Sequence, residues 1–411
     1  MKKSLAVMGA CVVGLGALSA CSSGNEGSAG TSASGKDGLK VVATTTQICD
    51  YVTQLAAGES SAPTKGSSEA PAAESEIALE KTDSQGSTQH LGADKDKAKA
   101  TINLTCLLAP NASAHEHEMT PQQMDALGQA DLFLTNGVDL EHFLDSAVES
   151  SGFKGTMVAT SGLRTSVEKT DPEKAKKQQE DFTFTASDGE EHVDVQKWPF
   201  PPEEGEGEGE SFVFDPHVWT APKNAIIQVR NIGHAMAEAS PDAADTINAH
   251  VDQYVKRLED LDNWARTSFE SVPKENRTLF TSHDAFGYFS KEFGINFIGA
   301  ALSDFSGQQD ATAEHIASAA QEVKDSGAKA LFAENSNNSK SIESIARAAG
   351  VRAVIGDDAL YGDSLGPAGS DGETYIGSQL HNIMNLVKAW GGTPAEIPAS
   401  LSGDTPEDII D

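Results

Sequence analysis

The chain has 411 residues, 38% hydrophobic and 22% charged, with 37 Gly and a formal net charge of −32. At about 150 residues per domain this length suits two to three domains, and the apolar content excludes a wholly disordered chain, a collagen and a multi-span membrane protein. So large an acidic excess repels nucleic acid and anionic lipid headgroups, which leaves cations and basic surfaces as natural partners.

Met1-Lys2-Lys3 is a positive start, and Leu5 to Leu18 is an apolar run short for a membrane span. It closes on Leu18-Ser19-Ala20-Cys21, which resembles a bacterial lipobox. The resemblance makes 1–20 a lipoprotein signal peptide and Cys21 the lipidated first residue of the mature chain; an ordinary secretory cleavage site is the alternative. Residues 21–38 read as a flexible Gly/Ser tether. Lipidation places the protein at the cell membrane, on the extracytoplasmic face, where disulfides persist. Four Cys are too few for a disulfide scaffold. Cys49 and Cys106 each lie near a strand of the same lobe and can pair; two separate buried thiols are the alternative.

A short β-rich run, Leu39 to Thr44, is followed by a helix over Gln47 to Ala57, with Ile48, Val52 and Leu55 at helical spacing. Residues 59–100 carry few large apolar side chains and read as a polar surface insertion that cannot offset its ordering entropy. Thr101 to Leu108 is a strand, Pro121 to Ala130 a helix with Pro in its first turn, and Asp131 to Gly137 a strand closed by a turn. A helix (140–149) and a strand (156–160) follow. Strands alternating with helices imply a mostly parallel sheet covered on both faces. A second polar insertion, 165–212, ends in alternating Glu and Gly and reads as a solvated loop.

Residues 242–270 carry Val251, Tyr254, Val255, Leu258, Leu261 and Trp264 at helical spacing. At about 1.5 Å per residue such a helix is about 43 Å long, which suits a rod joining two lobes. Strands at 278–282, 296–302, 328–333 and 351–355 then alternate with helices at 285–293, 311–325 and 340–349, and a helix at 375–390 ends the fold. The expected architecture is α/β, with an N-terminal lobe over 39–240, a linker helix over 241–272 and a C-terminal lobe over 273–411.

Of eleven His, most have bland settings. His234, His250, His315 and His381 fall within helices among polar neighbours, and His90 and His192 within the insertions. His115 and His283 sit where a strand hands over to a helix, the edge at which open α/β sheets bind ligands. His217 lies in Asp215-Pro216-His217-Val218-Trp219, and Asp357, Asp358 and Asp363 follow the strand at 351–355. Imidazole with carboxylate suits Zn²⁺, and four protein ligands close its tetrahedron, which favours holding the metal over catalysis with it.

Four stretches carry a family resemblance: His115-Glu116-His117-Glu118 with Ala130-Asp131-Leu132 fifteen residues beyond the His; Asp215-Pro216-His217-Val218-Trp219; Ser282-His283-Asp284-Ala285-Phe286-Gly287-Tyr288-Phe289; and Asp363-Ser364-Leu365-Gly366 with Tyr375. With these the chain resembles the metal-binding lipoproteins of ABC importers for zinc and manganese, the cluster A-I solute-binding proteins. The resemblance implies two α/β lobes joined by one long rigid helix, and the ligand set His115, His217, His283 and Asp363. His at the third position is similar to zinc members, whereas manganese members carry Glu there. His117 stands as the alternative to His115, and Asp358 as the alternative to Asp363. Glu334, in Phe332-Ala333-Glu334-Asn335, matches a recurrent position and reads as a structural partner.

The implied function is a monomeric, lipid-anchored extracytoplasmic receptor. It captures Zn²⁺, with Mn²⁺ as the alternative, and delivers it to an ABC permease driven by a cytoplasmic ATPase. No reaction is catalysed. The other readings are a manganese-binding homologue, an adhesin, or a His₃ zinc hydrolase with Asp284 as its only candidate base.

Overall fold

The computed structural model describes residues 38–58, 76–115, 117–141, 144–198, 212–301 and 312–410. The leader, Cys21, the tether up to residue 37, His142 and the Glu/Gly run at 203–210 lie outside these residues.

The N-terminal lobe is built on one sheet, with elements in the order β1 (Leu39–Ala43), α1 (Thr46–Ala57), β2 (Ile77–Thr82), β3 (Thr88–Gly92), β4 (Ala100–Cys106), α2 (Pro121–Gly128), β5 (Leu132–Thr135), α3 (Asp145–Ser151), β6 (Thr156–Ala159), α4 (Val167–Thr170), α5 (Pro172–Glu180) and β7 (Thr185–Ser187). Its strand order is β3-β2-β4-β1-β5-β6-β7. Every pairing is parallel except the β2–β3 hairpin. β1 is central and, apart from the half-buried Lys40, buried, so it reads as a mostly apolar run rather than an alternating one.

Two expectations are corrected here. Residues 76–100 are not a loose insertion: β2 pairs in parallel with β4 over six residues, and β3 folds back on it. Ile77, Leu79 and Leu91 supply the buried face, and Asp83 closes the turn by accepting from the amides of Gln85 and Ser87. Residues 165–187 likewise add two short helices and the edge strand β7 to the sheet. The polar composition is real, but a few apolar side chains suffice once the backbone joins an existing ladder.

Then follow α6 (Pro222–Ala239) and the long α7 (Ala244–Glu270). α7 has 27 residues, about 40 Å of helix. It packs on α6 and α1 and buries Tyr254, Val255, Leu258, Leu261 and Trp264 on one stripe. The C-terminal lobe continues with β8 (Thr278–Thr281), α8 (Gly287–Phe293), β9 (Asn296–Ala300), α9 (Ala313–Ser326), β10 (Ala330–Phe332), α10 (Lys340–Ala349), β11 (Arg352–Val354) and α11 (Tyr375–Ala389). Its strands form two parallel pairs, β8–β9 and β10–β11, with β10 against β8. α11 also packs on α7. One apolar core therefore runs from Val41 and Leu104 through Leu258 and Leu261 to Leu380 and Ile383. Cys49 on α1 and Cys106 at the end of β4 form a disulfide, with Cα atoms 5.6 Å apart. His381 is fully buried, held between Asp371 Oδ2 and the Ala359 carbonyl, so it is a core residue rather than one among polar surface neighbours.

Candidate metal centre

Four loops at strand or helix ends each deliver one donor. His115 follows β4, in a loop pinned at both ends by Gln123. The Gln123 amide donates to the Leu107 carbonyl at 2.9 Å and its Oε1 accepts from the Thr120 amide at 2.9 Å, within the capping box of α2. His217 lies in the Asp215–Trp219 turn just before α6. That turn is held by Asn136, which donates to the Pro216 carbonyl, and by the Tyr288 hydroxyl, which donates to the Asp215 carbonyl. His283 follows β8, and Asp363 lies in the loop between β11 and α11.

These four side chains, and no other group of three or more His, Cys, Asp or Glu among the described residues, come together with donor atoms within 4.8 Å of one another. His115 Nε2 is 3.0 Å from His217 Nε2 and 3.4 Å from Asp363 Oδ2. His217 Nε2 and His283 Nε2 are 3.5 and 3.1 Å from Asp363 Oδ1. A Zn²⁺ ion with four ligands at 2.0–2.1 Å needs donor separations of about 3.3 Å, so the constellation has the size of one tetrahedral shell. All four residues are buried. Among the described residues, His283 Nε2 and Asp363 Oδ1 have no aligned hydrogen-bond partner although they are close.

Two carboxylates stand behind the imidazoles. Asp215 Oδ1 is 2.8 Å from His217 Nδ1, and Glu334 Oε2 is 2.9 Å from His283 Nδ1. A carboxylate beside Nδ1 favours the tautomer whose Nε2 is free to take a metal. Two glycines make room for them. A Cβ on Gly287 would lie 2.4 Å from Asp215 Oδ2, and one on Gly362 would lie 2.1 Å from Glu334 Oε2. The sequence offered no signal for these pairings beyond the presence of Asp215 and Glu334 in their motifs, because each contact depends on how separate loops meet.

His117 is not part of the cluster. It turns toward α2, with Nε2 3.1 Å from Gln123 Oε1. Asp358 ends a short helical turn, Gly356–Asp358, outside the cluster. Asp284 lies beside His283 but is also outside it. Burial pushes its carboxyl up to about 7, with His283 pulling it down and Asp215 and Glu334 adding to the rise.

The electrostatics suit a cation-binding site. Burial lowers His283, but Asp363 and Glu334 outweigh it and hold the imidazole well above its usual value. Burial raises Asp363, but His283 and His115 outweigh it and hold the carboxyl well below the usual carboxylate range. His115 is lowered, chiefly by burial. Aromatic rings close the surroundings. The rings of Trp219 and Trp198 lie 5.4 and 5.9 Å from the ring of His217, and Phe212 lies 5.8 Å from His115.

Two α/β lobes spanned by a long helix, with three imidazoles and a carboxylate converging on one point, define the class of metal-binding solute receptors. Residues 96–389 match the family model of the periplasmic zinc-uptake complex component A, and the chain belongs to that family. Its members are metal-binding receptors of ABC importers and not enzymes, which sets the hydrolase reading aside. The zinc-binding protein TroA of Treponema pallidum is 28% identical over 300 residues, covering 72% of this chain and 84% of that protein. The manganese-binding lipoprotein MntA of Halalkalibacterium halodurans is 26% identical over 285 residues, covering 69% and 80%. Among solved structures, that of the periplasmic zinc-binding protein TroA from Treponema pallidum superimposes with a TM-score of 0.59 at 25% identity, covering 86% of this chain and 99% of that one.

Proposed function

We propose that this protein is a monomeric, lipid-anchored receptor on the extracytoplasmic face of the cell membrane. It captures Zn²⁺ with His115, His217, His283 and Asp363 and hands it to an ABC permease driven by a cytoplasmic ATPase. The observation that carries this reading is the buried cluster of four donors within 4.8 Å of one another, with four of its contacts at 3.0–3.5 Å. Three imidazoles and one carboxylate favour Zn²⁺ over Mn²⁺, which prefers oxygen donors. The relatives named above include one described as zinc-binding and one as manganese-binding, so the donor set, not the likeness, argues for zinc. Anchoring through Cys21 is supported by the lipobox-like Leu18-Ser19-Ala20-Cys21 and by relatives described as lipoproteins. The lobes are taken as 39–240 and 273–411, with 241–272 as their linker.

The test is metal analysis of protein purified without chelator, followed by competition between Zn²⁺ and Mn²⁺. We expect about one zinc per chain, not displaced by excess Mn²⁺. Preferential retention of manganese would reverse the choice of metal.

A further inference from the structure

Asp363 belongs to the C-terminal lobe, yet its loop is held from the other side. Between β11 and α11 the chain has no regular ladder to fix residues 362–365. Within its own lobe Asn335 donates to the Ser364 carbonyl at 2.9 Å and its Oδ1 lies 3.4 Å from the Gly362 amide; the N-terminal lobe supplies further bonds. The Gln47 side-chain amide donates to the Asp363 carbonyl at 3.1 Å and lies 3.4 Å from the Gly362 carbonyl. Thr46 Oγ1 accepts from the Leu365 amide at 2.8 Å, and the Asn111 amide donates to the Leu365 carbonyl at 3.0 Å. The Trp219 indole donates to the Gly362 carbonyl at 3.0 Å.

Gln47 is the member of this set aimed at the ligand residue itself. It is 2% exposed, at the first turn of α1. Its amide orientation is settled locally, because the Thr46 hydroxyl donates to Gln47 Oε1 at 3.1 Å and so leaves Nε2 for the carbonyls. α1 is tied in turn to the end of β4 by the Cys49–Cys106 disulfide, and β4 leads into the His115 loop. The first turn of α1 thus lies between the supports of two donors that come from different lobes.

We propose that Gln47 is a positioning residue for the metal site. By holding the Asp363 backbone from the N-terminal lobe, it keeps the carboxylate at coordinating distance from the three imidazoles. Without the donor, the Asp363 carbonyl loses the Gln47 bond, the Gly362 carbonyl keeps the Trp219 indole, and the loop loses the one cross-lobe tie made to the ligand residue itself. The carboxylate then has to be ordered by the metal itself, at a cost in affinity. This inference rests on the reading of Asp363 as a ligand, and the experiment separates the two.

Zinc affinity is measured by competition with a chromogenic chelator for the unmodified mature chain, Gln47→Met, Asp363→Ala and the double variant. Gln47→Met keeps the length and burial of the side chain and removes its polar end. We expect it to raise the zinc dissociation constant by about 10–100-fold, the range for outer partners of metal ligands, and to alter the visible spectrum of bound Co²⁺. In the Asp363→Ala background the same change should shift the constant by no more than about twofold. If Gln47→Met does not fold, Gln47→Glu, which keeps the shape and loses the donor, carries the same expectation. Unchanged affinity in Gln47→Met, or an equal loss in both backgrounds, overturns the positioning role. If Asp363→Ala binds zinc as tightly as the unmodified chain, Asp363 is not a ligand, and the role assigned to Gln47 falls with it.

Discussion

Asp215 and Glu334 determine how the histidines meet a cation. Asp215 holds the His217 ring by its Nδ1, and Glu334 accepts from the His283 backbone amide at 3.0 Å and lies 2.9 Å from its Nδ1, a setting that favours Nε2 as the metal donor. Glu334→Gln or Asp215→Asn should each weaken zinc binding by about 10–100-fold, measured by chelator competition; full affinity in both variants would remove their orienting role. Because Asp363 and Glu334 hold His283 well above its usual value, zinc binding competes with a proton on this ring. Calorimetry in buffers of different ionisation enthalpy should show about one proton released per zinc near pH 7, with affinity falling as pH drops. The same raised value gives the metal-free fold a contribution that is complete below about pH 6.5 and is lost as pH rises through the folded-state value. Zinc-free protein should therefore lose stability toward alkaline pH, and His283→Ala should flatten that dependence in denaturant titrations. The donors themselves were legible in sequence, since His217 and His283 sit in specific motifs and His115 follows a strand. Position after a strand leaves Asp363 and Asp358 both open, because it does not say which way a loop turns; the family resemblance points to Asp363, the one in the cluster. Gln47 and Gln123 carried no sequence signal, as their partners lie in other loops.

Composition misleads at the level of elements when it is averaged over too long a window. Across 59–100 the polar majority hides Ile77, Leu79 and Leu91, which are enough to seat a hairpin against β4. Leu79→Ala should cost about 2–5 kcal/mol in denaturant unfolding while leaving zinc affinity unchanged; a negligible cost would mean that β2 is not part of the cooperative fold. α6 is legible only in part, as the helix around His234 with no bounds, for a different reason. Its buried face mixes Ala225, Val229, Ile232 and Met236 with Gln228 and Asn231, and the two amides interrupt the apolar stripe. They are buried because they work: Gln228 donates to Asn136 and Thr160, and Asn231 to the Thr160 and Glu191 carbonyls. By contrast α7, α1 and the buried β1 were readable, since their apolar periods are uninterrupted. Removing the disulfide with Cys49→Ala and Cys106→Ala should cost about 2–4 kcal/mol, read as a lower unfolding midpoint.

In the whole molecule, α7 ties the two halves into one core. Besides its apolar stripe, Arg257 pairs with Asp404 at 2.6 Å, Arg266 with Glu292, and the Trp264 indole donates to the Ala395 carbonyl at 3.0 Å. α7 runs unbroken over 27 residues with these side contacts, and a metal held by donors from both halves would act as an added bond between them. Zinc at a thousandfold excess over its dissociation constant should stabilise the fold by about 4 kcal/mol, seen as a higher melting temperature that a chelator reverses; an unchanged melting temperature would mean that zinc does not bind the native state selectively. Trp219 sits on that junction, with its ring beside His217 and its indole N–H on the Gly362 carbonyl of the opposite half. Filling or emptying the site must change the electric field at this indole, so the chain carries its own optical reporter, and its native fluorescence can follow capture and release without an attached dye.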